Sequence, residues 1–172
     1  DIAGVSGLPV DPSPPDEPSI VVLPFANLSG DPEQEYFSDG ITEDLTNDLA
    51  RYPLLFVISR NSAFTYKGKS VKVEDVGREL GVLYVLEGSV RKAGGRVRIT
   101  AQLIDATTGG HLWSERYDRD LSEILALQSE ISQEIQAAVG AEVRQAEFER
   151  VGRKPTRSLS AAETAWKGSY HS

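Results

Sequence analysis

The chain has 172 residues, 40% hydrophobic and 26% charged, with a net charge of −8. That is enough for one domain with a real core, and the acidic total argues against nucleic acid as main ligand, since phosphate contact needs concentrated Lys and Arg. It contains no Cys, which excludes disulfides, thiol catalysis and thiolate metal sites, and no apolar run approaches the ~20 residues that span a bilayer.

Residues 1–18 hold five of the nine prolines and read as an extended linker. Ser19–Phe25 is a continuous Val- and Ile-rich run, expected to be a strand buried on both faces, with Pro24 at its last rung. Asn27–Asp31 reads as a turn. A helix is expected to begin near Ser38 or Asp39, with Ile41, Leu45 and Leu49 as its buried stripe and Pro53 beyond its end. Leu54–Ser59 reads as a second short strand and Arg60–Ser70 as a polar loop. Val73, Val76 and Leu80 have helical spacing, and Gly81 stands where a left-handed residue ends a helix.

The period then changes to two. Val82–Arg91 and Arg96–Asp105 alternate around Gly94-Gly95, a hairpin signal. Val97, Ile99, Ala101 and Leu103 share one face of the second strand. Thr107–Gly110 turns the chain into a third strand, His111–Arg116. From Asp120 the period returns to 3.6, with Leu121, Ile124, Leu127, Ile131, Ile135 and Val139 on one stripe. Asp120 and Glu123 have capping-box spacing, and the helix should run to about Phe148. Residues 152–172 read as a linker and the start of a following helical region. The order β-α-β-α-β-β-β-α predicts an α/β fold: a mixed five-stranded sheet with helices packed on it.

No catalytic, cofactor or metal signature emerges. Gly68-Lys69-Ser70 resembles the tail of a phosphate loop, but its first Gly position is Ala63. Asp31, Glu33 and Glu35 are spaced like calcium ligands, yet the obligatory Gly and Glu positions hold Tyr36 and Thr42. The two histidines, His111 and His171, lack ligand-spaced partners. Two surfaces remain as candidates. A ligand crevice at the carboxyl ends of the parallel strands would use Asn27, Ser29, Asp31, Ser59 and Asn61. A docking surface would use Arg91, Lys92, Arg96 and Arg98 on the hairpin, with Val143 and Phe148 on the last helix, where apolar side chains should be left exposed.

The stretch SIVVLPFANLSGDPEQEYFSDGITEDLTNDL, with RNSAFTYKGKSV and VGRELGVLYVLEGSVRKAGGRVRITAQLIDATTGGHLWSERYDRDL, resembles the TolB-like N-terminal α/β domain of bacterial multidomain signalling proteins. In those chains the domain lies between a class III adenylate/guanylate cyclase domain, or a winged-helix regulator, and a tetratricopeptide (TPR) array. The resemblance implies a TolB-like domain over 19–151. It implies a non-catalytic sensory or scaffolding role for this segment, even where the full-length protein is a cyclase. The partners would be the neighbouring cyclase and TPR domains, another protein, or a second copy, with no nucleic acid and no membrane insertion. The alternative is a small-molecule-binding or hydrolytic domain using the crevice. The chain has no Met and opens on Asp1, as expected of a piece of a longer protein. In many of those chains a membrane helix separates the cyclase from this domain, so the resemblance implies the periplasmic side of a membrane-tethered protein, an arrangement the Pro-rich start fits, with the cytoplasm as the alternative.

Overall fold

A computed structural model describes residues 17–122 and 124–152. The linker expected over 1–18 and the helical start expected over 152–172 fall almost wholly outside these residues. By internal contacts the chain divides between Glu142 and Val143.

The first unit is a mixed sheet flanked by helices. Its elements are β1 (Ser19–Val22), β2 (Ala26–Asn27), α1 (Pro32–Leu49), β3 (Phe56–Val57), α2 (Arg60–Phe64), α3 (Val73–Leu80), β4 (Tyr84–Ala93), β5 (Arg96–Asp105), β6 (His111–Asp120) and most of α4 (Ile124–Gly152). The sheet order is β3-β1-β4-β5-β6, with the two-residue β2 alongside β4. β1 runs parallel to β3 and β4, whereas β4, β5 and β6 form an antiparallel meander. This is the expected mixed α/β sheet, with β2 as an addition.

All four residues of β1 are buried, because it is an interior strand and helices cover both sides of the sheet there. Alternation sends Val21 and Val85 to one side, where they pack with Ile58, Ala63 of α2 and Val76 of α3. Ile41, Leu45 and Leu49 of α1 and Ile131, Ile135 and Val139 of α4 are each 0% exposed. Val97, Ile99, Ala101 and Leu103 are buried on their common face, as the alternation predicts.

Several boundaries differ from expectation; β1 ends at Val22 rather than Phe25, and β4 runs Tyr84–Ala93 rather than Val82–Arg91. α1 starts two turns early: Asp31 is its N-cap, accepting from Glu33 N–H at 3.0 Å, and Pro32 sits at the first position, where no donor is needed. Its polar opening PEQE resembles a turn, but Ser38 already donates to the Gln34 carbonyl inside the helix at 2.8 Å. β3 is two residues long, because exposed Leu54 falls outside it and Ser59 is taken as the N-cap of α2. Arg60–Phe64 is thus a short helix rather than loop. Asp120 does not cap a helix: it ends β6, and its carboxylate accepts from Arg96 at 2.8 Å. Glu123 lies outside the described residues.

The ladder is interrupted at the junction of β1 and β2. Val22 stands opposite Leu86, and Ala26 opposite Ser89. One strand thus spends four steps where the other spends three, which is a bulge. Pro24 lacks an N–H, and the Phe25 N–H leaves the ladder for Thr42 Oγ1 of α1 at 2.9 Å. Phe25 is driven inward, 1% exposed. It lies where a Cβ on Gly88 would stand, so Gly88 has to lack one.

Candidate functional site

The bulge opens a cleft of about 600 Å³ at the carboxyl end of β1, between Pro24–Asn27, the Tyr66–Val71 loop and Glu87-Gly88 of β4. Parallel strands end here, the expected place for a crevice in an α/β sheet. Gly68 enters the left-handed region at φ 76°, which turns the loop over the opening.

Lys67 and Glu35 of the cleft are held together with Asp39 behind them. Lys67 Nζ bonds Glu35 Oε2 at 2.7 Å and the two Asp39 oxygens at 2.8 and 2.7 Å. Partial burial alone would lower the Lys67 pKa, but the bonds to Asp39 and Glu35 outweigh it and raise it. The Lys67 ammonium, then the Asn27 amide, hold Glu35 below the usual carboxylate range. Asn27 Nδ2 also donates to the Asp31 carbonyl at 2.8 Å, and its Oδ1 accepts from Ser29 N–H at 3.0 Å. Tyr66 donates to Glu79 at 2.5 Å; burial, then this bond, push its hydroxyl to about 12. Exposed Lys69 also lines the cleft and adds a positive charge at its rim.

Of the five expected crevice residues, only Asn27 lines this cleft. Ser29 and Asp31 face β4 instead. Ser29 Oγ accepts from Lys92 N–H at 2.6 Å, and Asp31 Oδ2 meets Lys92 Nζ at 3.2 Å. The backbone bond from Glu33, then Lys92, lowers the Asp31 pKa. Ser59 and Asn61 sit exposed at the start of α2, where Ser59 caps the helix. Sequence reasoning missed Lys67, Glu35 and Asp39 as a set. Their signal is a helix and a loop 28 residues apart, which no local pattern joins.

The hairpin basics are largely neutralised. Arg96 pairs with Asp120 and Arg98 with Asp118, each at 2.8 Å. The Arg98 bond is also the main reason Asp118 titrates low. Lys92 alternates to the opposite side of β4 from Arg91, which stands across from Arg98. On α4, Val143 is 5% exposed, against the expectation that it is left open, whereas Phe148 is 73% exposed. Among the described residues no group of three or more His, Cys, Asp or Glu could hold a metal ion, and no helix is long and apolar enough to cross a membrane.

No protein-family model matches the chain. It is 59% identical over 139 residues to the curated protein named "Putative adenylate cyclase 3" of Rhizobium meliloti (strain 1021). The match covers 81% of this chain, which spans only 24% of that relative's length. Among solved structures, the chain is similar to lipoprotein GNA1162 of Neisseria meningitidis. The TM-score is 0.51 at 21% identity, over 69% of this chain and 97% of that one. TolB from Acinetobacter baumannii gives a TM-score of 0.49 at 21% identity, over 72% of this chain and 28% of TolB. The lipoprotein likeness establishes the shared fold.

Proposed function

We propose that this chain is a TolB-like, non-catalytic interaction module of a cyclase-type signalling protein. It binds a protein or ligand and couples it to neighbouring domains. The observation that carries this reading is the 59% identity to a protein named as an adenylate cyclase, of which the chain spans 24%. A segment that occupies so small a part of a larger chain is suited to work through its neighbours. The cleft supports the reading, because Lys67, Glu35 and Asp39 are committed to each other rather than to a reacting centre.

In this reading residues 19–151 form the module, 1–18 are a tether, and 152–172 lead into a helical, TPR-like region. The neighbouring cyclase and TPR domains are its partners, met through the Arg91, Arg96 and Arg98 face and exposed Phe148. The likeness to a lipoprotein supports a periplasmic position, which the Pro-rich tether fits; a cytoplasmic one is the alternative. The test uses the purified chain and the full-length protein together. The chain alone should turn over no ATP or GTP, and Arg91→Glu should change cyclase output in the full-length protein without unfolding it. Nucleotide turnover by the chain, lost on a point change within it, would overturn the proposal.

The cleft volume favours one second reading. About 600 Å³ lies within the range of small-molecule pockets. Thermal shifts against a metabolite panel, lost on Tyr66→Phe and Asn27→Ala, would support a bound small molecule as the signal.

A further inference from the structure

β6 closes one side of the sheet, and among the described residues nothing pairs with its far edge. Antiparallel pairing fixes which backbone groups that edge presents. Leu121 N–H donates to the Gly95 carbonyl at 2.9 Å, and Asp120 stands opposite Arg96. Bonded and non-bonded pairs alternate, so the odd-numbered residues Trp113 to Arg119 turn their N–H and C=O toward β5. Ser114, Arg116, Asp118 and Asp120 turn theirs outward. A strand added to this edge has to bond to those four residues.

The side chains carry a second, independent pattern. From Glu115 the strand reads Glu-Arg-Tyr-Asp-Arg, and its charges reverse sign about Tyr117. Consider an antiparallel copy with Tyr117 on the two-fold axis. Arg116 then faces Asp118 and Glu115 faces Arg119, each twice by symmetry. Arg116 and Asp118 are also the hydrogen-bonded pair in that register, as the outward backbone groups require. Centring on Arg116 sets two arginines against each other, and centring on Asp118 sets two aspartates. Placing the axis between residues pairs an outward residue with an inward one and forms no ladder.

We propose that β6 is a homodimerisation edge, at which two copies join antiparallel about Tyr117 into one continuous sheet. Charged side chains usually protect an edge from pairing. Here the same charges penalise the neighbouring registers and favour one. The internal contacts are compatible with it. Asp118 holds Arg98 at 2.8 Å and Arg116 at 3.7 Å on one face. On the other, Arg119 is held by Glu130 at 3.6 Å and Glu134 at 3.3 Å of α4. Among the described residues, only the Arg119 Nη1 bond to the Asp118 carbonyl, at 3.1 Å, occupies the edge itself and has to open. Dimerisation at this edge is independent of the proposed signalling role.

Sedimentation equilibrium of the 172-residue chain over a concentration series tests it. A concentration-dependent dimer is expected. R116E should weaken it by roughly tenfold or more, because symmetry turns two attractive cross-strand pairs repulsive. The double variant R116D/D118R should recover most of the loss. The chain has no Cys, so the register can be read by cross-linking. An equimolar mixture of R116C and D118C should oxidise to a disulfide-linked dimer, the paired Cα atoms lying about 5.5 Å apart. Each variant alone should cross-link far less. A chain that stays monomeric to ~1 mM, an R116E dimer as tight as the parent, or equal cross-linking in the single-variant samples would overturn the proposal. Circular dichroism of each variant confirms that a lost dimer is not a lost fold.

Discussion

Thr42→Val, set against Thr46→Val, isolates the hydrogen bond by which the Phe25 amide fastens the bulge to α1. Both threonines are buried on α1, and both hydroxyls donate to the carbonyl four residues back at 2.9 Å. Only Thr42 also accepts, from the Phe25 N–H at 2.9 Å. Valine keeps the shape and removes the acceptor. In Thr42→Val the Phe25 amide is left unpaired away from water, a cost of about 1–3 kcal/mol. The back-bond itself is worth little in a helix, so Thr46→Val should lie within about 0.5 kcal/mol of the parent. With a urea m-value of about 2 kcal/mol/M, a loss of 1.5 kcal/mol lowers the midpoint by roughly 0.75 M. Urea melts of the two variants, with hydrogen exchange at the Phe25 amide, provide the assay. Equal midpoints, or unchanged Phe25 exchange in Thr42→Val, would refute the reasoning.

Packing and capping set further expected outcomes. Leu45→Ala should cost about 2–5 kcal/mol, since Leu45 is 0% exposed. Glu43→Ala should cost no more than about 0.5 kcal/mol, because its 3.2 Å pair with Arg60 is solvent-exposed; urea midpoints compare the two. Gly88→Ala would press a methyl into the Phe25 ring and the Thr100 carbonyl, and should destabilise by about 1–3 kcal/mol in thermal melts. Asp31→Ala removes the α1 cap and should cost about 0.5–2 kcal/mol. Tyr66 titrates near 12 in the fold against 10.0 in the open chain. The folded state therefore keeps this proton longer, and the stability it lends is complete below pH 10 and fades as pH rises toward 12. Ultraviolet titration should show a late tyrosinate step that Tyr66→Phe diminishes, leaving that of Tyr117, which burial also raises.

The elements with strict periodicity were legible in the sequence. β5 alternates without exception from Val97 to Leu103, and α1 carries its stripe at Ile41, Leu45 and Leu49, so burial and periodicity agree. The start of α1 was not legible, because a polar first turn and a buried face of Gln34, Ser38, Thr42 and Thr46 both imitate non-helical sequence. Composition finds a basic hairpin but cannot see that Asp118 and Asp120 lie across from it in β6. The crevice was legible as a location, the carboxyl end of a parallel strand. Its residues were not, because tertiary folding brings Lys67 onto Asp39 and Glu35, and sequence spacing carries no trace of that.

The interior position of β1, between β3 and β4, also bears on synthesis. β1 leaves the ribosome before either neighbour, yet its partners are far downstream: Ser19 pairs with Phe56, 37 residues on, and Ile20 with Tyr84, 64 residues on. The meander of β4, β5 and β6 is contiguous and can zip locally, but β1 must wait for it, and such distant pairings close slowly. During that interval the apolar stretch Ser19–Phe25 is a strand without a sheet, open to pairing with other nascent chains. Pro24, which forces the bulge in the finished fold, breaks that stretch and limits how far an intermolecular ladder could extend.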